Sequence, residues 1–308
     1  MPRYDLCLAW NWEFDNGFVQ SMESACARRS LLVYQVRPDN LDQVLQALAG
    51  GELSFAALHD RASDSDPRFQ ALVDQLRKNH VYSINPQEKT RWAGDKATMH
   101  LEFISHGLDT PYTLLLAPLN EQPTLPPLDF TPLGGRFAIK PASGGGGWGV
   151  VLQAIDRAQV EAARREYPQE KVLLQAHVTP CSLGGLPAWF RVLFCDGAIY
   201  PCWWDPQTHL YRPVTAEQRF RFHLHALREI PLRIAQICGL QLFSTEIALT
   251  EAGQFLAVDF VNDPVDLRLQ SRALDGVPDA IVEDIAGRLA RLVERNCRTA
   301  RWDRGQRP

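Results

Sequence analysis

The 308-residue sequence predicts a chain of mixed α/β and α+β architecture. Three observations predict it. Apolar runs and helix-like segments alternate over residues 4–84, and such alternation means a small parallel sheet with crossover helices. Residues 137–153 read as a strand, a glycine-rich hairpin and a second strand. Two apolar strands, around residues 243–249 and 255–262, are joined by Thr250-Glu-Ala-Gly253, a hairpin turn, so this pair is antiparallel.

In order, residues 4–10 form an apolar strand, 19–29 a helix and 31–36 a second strand. Residues 40–49 form a helix closed by Gly50-Gly51, 55–58 a third strand, 66–79 a helix and 81–84 a fourth strand. Ligands collect at the carboxyl ends of parallel strands. Asn11, Glu13 and Asp15 after the first strand, and Asp60 and Arg61 after the third, are therefore either the border of an acceptor site or ordinary loop polar residues. The proline-rich stretch 118–135 reads as a connector, and 180–187, with Gly184-Gly185, as another break. Residues 215–238 are mainly helical with an interruption expected at Pro231. Residues 278–298 form an amphipathic helix with Ile281, Ile285, Leu289 and Leu292 on one face. Arg288, Arg291, Arg295 and Arg298 recur at helical spacing, continued by Arg301, Arg304 and Arg307. They read as the solvated outer face of that helix, with an anionic partner as the alternative.

Hydrophobic residues make up 45% and charged residues 22%, as in an ordinary globular protein. The net charge of -4 gives no reason to expect nucleic acid. No apolar run has the length of a membrane span, and the start lacks the charged-then-apolar pattern of a signal peptide, so a cytoplasmic protein without membrane contact is expected. Seven cysteines, an odd number without a C-x-x-C pair, suit reduced thiols better than a zinc site. No HExxH motif is present. His209, His223 and His225 read as structural.

The most informative stretch is Phe137-Ala-Ile-Lys140-Pro-Ala-Ser-Gly-Gly-Gly-Gly-Trp-Gly149, with five glycines among the last six residues. Gly144, Gly146 and Gly149 spell G-x-G-x-x-G, yet a strand-like Val150-Val-Leu-Gln153 follows, where a dinucleotide fingerprint needs a helix. No Gly-Lys-Ser/Thr closes the loop, so it is not a Walker loop either. A flexible hairpin with Lys140 facing the same space can fold over a triphosphate and offer backbone N–H groups to its oxygens.

This stretch resembles the phosphate-covering loop of the ATP-grasp superfamily, of the kind found in D-alanine–D-alanine ligase and ribosomal-protein glutamate ligase. The flanking sequence is similar too. Asn85-Pro86 and then Asp95-Lys96 open an apolar segment that ends at Gly107-Leu-Asp-Thr-Pro111. A strand at 112–117 follows, and residues 172–178 stand where the family has its adenine-binding hinge. Phe243-Ser-Thr-Glu246 and Val258-Asp259-Phe-Val-Asn262-Asp-Pro264 resemble its metal-binding strands. The likeness runs from about residue 80 to the C-terminus. It implies an N-terminal pre-ATP-grasp α/β domain over 1–86, a central region and connector over 87–134, a glycine-loop lid over 135–178 and a C-terminal subdomain with the metal site over 179–308, the last three making a grasp of two α+β subdomains.

The resemblance also implies site residues. Lys96 and Lys140 match the phosphate-binding lysines, and Ser143, Gly144, Gly145, Gly146, Gly147 and Trp148 the covering loop. Gln175 stands where many relatives have an acidic hinge residue; its carbonyl can accept from the adenine amino group, with backbone groups of Ala176 and Val178 beside it. Glu246, Asp259 and Asn262 are the metal ligands implied, and hard carboxylate and carbonyl oxygens suit magnesium. The family usually has Glu-x-Asn, whereas here Asp259-x-x-Asn262 adds a residue. Either a bulge restores Asn262 to the site or Asp263 replaces it. Arg191 resembles the arginine that holds the γ-phosphate or acyl phosphate; Arg268 and Arg212 are further candidates. Trp203-Trp204 line a substrate pocket or belong to the core.

The activity implied is an ATP- and magnesium-dependent joining of a small carboxylate to an amine through an acyl phosphate, with two Mg2+ ions, or Mn2+ in their place. A homodimer is compatible with this. A kinase acting on a hydroxyl is the first rival reading. A grasp fold kept only as a nucleotide-binding module is the second.

Overall fold

A computed structural model describes residues 2–305, with side chains as far as Cys297. The N-terminal part runs β1 (Arg3–Trp10), α1 (Asn16–Ala27), β2 (Val33–Val36), α2 (Leu41–Ala49), β3 (Ser54–Arg61), α3 (Gln70–Lys78) and β4 (Tyr82–Ile84). The strands form one parallel sheet in the order β2-β1-β3-β4. β3 is longer than the apolar run Phe55–Leu58 suggested, because His59 and Arg61 are buried polar residues that a hydropathy pattern reads as loop. Asp60 and Arg61 therefore lie on the strand, not after it.

Two helices, α4 (Gln87–Gly94) and α5 (Lys96–Ser105), lead onward. Asp95 caps α5 by accepting from the Thr98 amide at 2.7 Å, so Lys96 is the first helical residue. Next come β5 (Thr113–Leu116), β6 (Phe137–Pro141), β7 (Val151–Ala154), α6 (Arg157–Glu166) and β8 (Val172–Ala176). These strands form an antiparallel sheet in the order β5-β8-β6-β7. The sheet begins at Thr113, ahead of the boundary expected at residue 135: the strand before the proline-rich connector and the hairpin after it share one sheet. Buried Arg164 ties down the connector, donating to the carbonyls of Ala117 at 3.1 Å and Gln122 at 2.6 Å.

The remainder begins with a two-stranded ribbon, β9 (Ser182–Leu183) and β10 (Leu186–Pro187), turned at Gly184-Gly185. It continues with β11 (Trp189–Cys195), β12 (Ala198–Trp204), β13 (Tyr211–Pro213), α7 (Ala216–Arg221), α8 (Ala226–Cys238), β14 (Leu242–Leu249), β15 (Phe255–Asn262) and α9 (Asp279–Gly305). The sheet is antiparallel, in the order β13-β12-β11-β14-β15. Pro231 does not interrupt the helix but sits buried within α8. The break comes earlier, at residues 222–225, where His223 has φ 53. On α9, Ile285, Leu289 and Leu292 are buried as the periodicity predicts. Asp196 takes up Arg295, and Asp284 takes up Arg288. The side chains of Arg298, Arg301 and Arg304, and all of Arg307, lie outside the described residues.

The five-stranded sheet is covered on both faces. Leu193, Cys195 and Leu242 meet α9 together with β1 and α1 of the N-terminal part. Phe194, Phe243 and Phe260 meet α5 and α8. The lid sheet has its own core of Phe137, Ile139, Val160, Val172 and Leu174. Among the described residues no helix is long and apolar enough to cross a membrane. All seven cysteines are buried.

Candidate active site

The site is assembled where the lid sheet meets β14 and β15. Glu246 and Asp259 are direct cross-strand partners on these two strands. Two residues further along β14, Ser244 faces Asn262, so three residues of β15 span what two span on β14. That is a β-bulge, and it absorbs the extra residue between Asp259 and Asn262. Asn262 is thereby returned to the carboxylate side, donating to Asp259 and to the Ser244 carbonyl at 3.4 Å. Asp263 is turned away: its carboxylate accepts from Thr90 Oγ1 at 2.7 Å and from Asn85.

Arg191 on β11 pairs directly with Glu246 and donates to it at 2.9 Å, and its Nε donates to Ser244 Oγ at 3.3 Å. The guanidinium also stands 5.1 Å over the Trp204 ring, and Trp204 is stacked parallel on His209. The second Glu246 oxygen accepts from Trp189 Nε1 at 3.1 Å. Trp189 was not singled out in the sequence. It sits two residues before Arg191, so strand periodicity alone puts it on the same face.

The lid sheet contributes one lysine and α5 the other. Lys140 on β6 donates to Gln175 Oε1 at 2.7 Å and to the Val258 carbonyl, next to Asp259, at 3.3 Å. Lys96 reaches the Gly144 carbonyl, and its backbone amide donates to Ala142 at 2.9 Å. Gly144, Gly146, Gly147 and Gly149 all have φ between 62° and 93°, a left-handed run that L residues adopt at a cost, so here the glycines are required by the backbone. The Trp148 ring is exposed and lies 4.3 Å from that of Tyr167, after α6. The Ser143 amide donates to Glu170 at 3.2 Å.

Electrostatics joins these groups. Burial pushes the Glu246 carboxyl up, aided by Asp259 and opposed by Arg191. Burial also works against the Asp259 charge, but Lys140, Lys96 and Arg191 outweigh it and hold this carboxyl below its ordinary value. Desolvation lowers Lys140, while Asp259 and Glu246 oppose that shift. Two carboxylates, two lysines and an arginine thus share one partly buried volume. Like charges placed side by side inside a protein are costly without a counter-ion. The lysines and the arginine answer that charge here, and two carboxylates with an amide oxygen also suit magnesium that keeps water and phosphate oxygens as its other ligands. Among the described residues no group of three or more His, Cys, Asp and Glu is arranged to hold a metal ion.

Other expected residues make contacts of their own. Asp15 and Arg61 form a buried ion pair at 2.7 Å, and Arg61 also donates to the Val265 carbonyl at 3.0 Å. Asn11 turns to Ser65, donating at 3.0 Å. The guanidinium of Arg268 is closed by Asp266 at 2.7 Å and Asp275 at 2.9 Å, and lies 5.5 Å over the exposed Trp12 ring. The amide of Ala176 is spent on the Tyr112 carbonyl at 2.8 Å, and the Gln175 oxygen on Lys140. Val178 packs against Ala248 and Val258. Arg212 is exposed on β13. A separate cleft of about 420 Å3 opens between β12 and α7–α8, lined by Pro201, Phe220, His223, His225 and Arg228 among others. Pro201 alternates with Cys202 and Trp204 along β12, so this cleft lies on the sheet face opposite Arg191.

No family model and no curated protein sequence matches the chain. Its architecture does match solved structures. An ATP-grasp ligase, PsnB, complexed with a minimal precursor, Mg and ADP, superposes with a TM-score of 0.62 at 14% identity over 95% of this chain and 98% of that one. A RimK-domain ATP-grasp protein from Sphaerobacter thermophilus gives 0.61 at 20% identity over 92% and 97%. D-alanine–D-alanine ligase from Bacillus anthracis, complexed with ATP, gives 0.64 at 10% identity over 96% and 99%.

Proposed function

We propose that this chain, whose architecture is the ATP-grasp fold, is an ATP- and magnesium-dependent ligase that joins a carboxylate to an amine. The observation that carries the reading is the Glu246–Asp259 pair, brought face to face on β14 and β15 and ringed by Lys140, Lys96 and Arg191. Glu246, Asp259 and Asn262 would hold magnesium, which supplies charge neutralisation between phosphate oxygens. Lys140 and Lys96 would hold the phosphates, beneath the backbone of Ser143, Gly144, Gly145, Gly146, Gly147 and Trp148. Arg191 would orient the phosphoryl group that moves: it is held by Glu246 and Ser244 and stands over Trp204, so little reorganisation is needed when charge develops. The carboxylate attacks the γ-phosphorus and ADP leaves. The amine then attacks the acyl carbon and expels inorganic phosphate. Closing the glycine hairpin keeps water from the acyl phosphate in between. A kinase would use the same groups up to the first transfer. A module without activity is disfavoured, because nothing in binding alone calls for two neighbouring, half-buried carboxylates.

The products decide. ADP release is screened against pooled amino acids and small carboxylates, with hydroxylamine added as a surrogate amine. A ligase yields one phosphate per ADP and a hydroxamate of the acid. ADP without free phosphate, with a stable phosphorylated product in the mass spectrum, would replace the ligase reading with the kinase one.

A further inference from the structure

The cleft between β12 and α7–α8 has no part in the site described above. It lies on the sheet face turned away from Arg191, and its volume of about 420 Å3 suits a small organic molecule. Its floor is apolar, made by Ile199 and Pro201 of β12 with Leu224 and Leu227 beside them. Leu224 and Leu227 belong to a packed core, so the floor holds its shape. The rim is basic, with Arg219, Arg228, His223 and His225. Among the described residues none of these four side chains has a hydrogen bond or an ion pair. Elsewhere in the chain arginines meet carboxylates, as Arg61 meets Asp15, Arg191 meets Glu246 and Arg288 meets Asp284. The one carboxylate on this lining is Glu229, among the described residues. One wall is α7, which buries none of its residues and leaves Phe220 86% exposed at the cleft. Its shape is held locally by a capping box, in which the Gln218 amide donates to Thr215 Oγ1 and the Thr215 amide to Gln218 Oε1, both at 3.1 Å. Trp203 of β12 donates to the same Gln218 oxygen at 3.1 Å and ties the wall to the sheet.

We propose that this cleft is a second ligand site, for a small organic anion with an apolar body. The floor and the Phe220 ring take the body, and the basic rim takes a carboxylate or phosphate headgroup. A guanidinium fork suits either headgroup, and each imidazole adds an N–H donor. A neutral apolar ligand leaves the rim donors unused. A bare inorganic anion leaves the floor and Phe220 in water. The occupant lies across the sheet from Glu246 and Asp259, so it neither competes with a nucleotide there nor takes part in the transfer. The site stands whether or not the ligase reading does.

The test is a fluorescence titration of the full chain with anilinonaphthalene sulfonate, an anion on an aromatic body, and with phenylnaphthylamine, the same body without the sulfonate. The proteins are the wild type, Arg219→Gln/Arg228→Gln, Phe220→Ser and, as a control on the same helix, Arg221→Gln, whose guanidinium lies over Phe222 and outside the cleft. All four positions are exposed, so folding is not at stake, and thermal melting checks it. The wild type should bind the sulfonate at one saturable site, with a Kd of about 10–100 µM. Arg219→Gln/Arg228→Gln should weaken the sulfonate by about ten-fold or more and the neutral probe by less than about three-fold. Phe220→Ser should weaken both probes by about three-fold or more, and Arg221→Gln neither. ATP with magnesium should displace no probe. Naphthylacetate and naphthyl phosphate then compete with the sulfonate, and their ranking identifies the headgroup; failure of both to compete would overturn the proposal. It falls equally if the wild type does not bind the sulfonate, if Arg219→Gln/Arg228→Gln binds both probes like the wild type, or if ATP displaces the sulfonate.

Discussion

Two carboxylates with opposite displacements sit side by side in this protein, and their difference predicts what each substitution does. Asp259 is held ionised mainly by Lys140, while Glu246 is pushed up by burial and tethered by Arg191 and Trp189. Asp259→Asn keeps the shape and removes the charge that faces both lysines. We expect magnesium-dependent turnover to fall by roughly a hundred-fold or more while ATP still binds within a few-fold of wild type. Near-normal turnover at limiting magnesium would place the metal elsewhere. His59, on β3, gives a pH-dependent counterpart. Burial, with Arg61 nearby, pushes it down to about 4, below the ordinary 6.5. Between those values the unfolded chain binds a proton that the native imidazole refuses. Stability is therefore complete above about pH 6.5 and is lost as the pH falls toward 4. Going from pH 7 to pH 5 should lose roughly 2 kcal/mol through this group. In His59→Gln that part of the loss should vanish, measured as the difference between urea unfolding at the two pH values. An unaltered difference would mean that the imidazole takes up its proton in the native state. Lys140, Glu246 and Asp259 were legible in sequence because a charge inside an apolar strand is anomalous. The partners of Arg61 and Gln175 were not legible, because Asp15 and Lys140 lie 46 and 35 positions away and no local pattern encodes such a meeting.

The glycine hairpin shows how much of an element a sequence declares. Its existence, its two strands and its lack of a following helix were all visible in composition and order. Which glycine does what was not, since that depends on neighbours brought by α6 and by the chain beyond it. A Cβ on Gly149 would come within 2.8 Å of both Pro141 and Tyr167, at φ 69°. A Cβ on Gly145 would meet nothing within 4 Å, and that residue has no positive φ. Gly149→Ala should therefore destabilise the lid by about 1–3 kcal/mol and weaken ATP, through strain and through displacement of Tyr167 from its place under Trp148. Gly145→Ala should melt and bind like wild type. Hydrogen exchange of β6 and β7 amides separates the two, and equal protection in both variants would contradict the packing argument. The bulge on β15 is the other lesson of this kind. The spacing Asp259-x-x-Asn262 left two outcomes open, and the register that faces Ser244 with Asn262 holds the bulge that the first of them needs. Pro231 misled for a related reason. Within α8 it gives up one backbone hydrogen bond, while its ring gains a buried place, and packing outweighs the propensity.

Taken as one body, the protein is less divisible than its sequence suggested. The alternating strands and helices of residues 1–86 read as a self-contained unit, and their parallel sheet is one. Its core is not. One face of the sheet is closed by Val44, Leu48, Leu72, Val73 and Leu76 of its own helices. On the other face Leu6, Leu8, Phe18, Met22 and Cys26 share a core with Val282, Ile285, Leu289 and Val293 of α9 and with Leu193 and Leu242 of the large sheet. Periodicity reports that a face is apolar and is silent on what covers it. Polar ties follow the same seam. The Arg61 fork reaches the Val265 carbonyl, and Asn85 accepts from the amides of Gln241 and Leu242 at 2.7 and 3.2 Å. Residues 1–86 expressed alone should accordingly fail to give a cooperative melt or a dispersed amide spectrum, having lost the cover for half of their core. A sharp transition with native-like dispersion would show that the sheet stands without α9. In the intact chain, Asp15→Ala leaves Arg61 charged and buried beside only a carbonyl, and should lower the stability of the whole by about 3–5 kcal/mol. Because the seam joins the N-terminal sheet to β11, β14 and α9, that loss should shift one common transition of those parts. The lid, with its separate core of Phe137, Ile139 and Val172, should keep its own melting behaviour, followed through the exposed Trp148 on Tyr167. A selective early loss of the N-terminal sheet in Asp15→Ala, with the rest unmoved, would argue that the shared core contributes less than its burial implies.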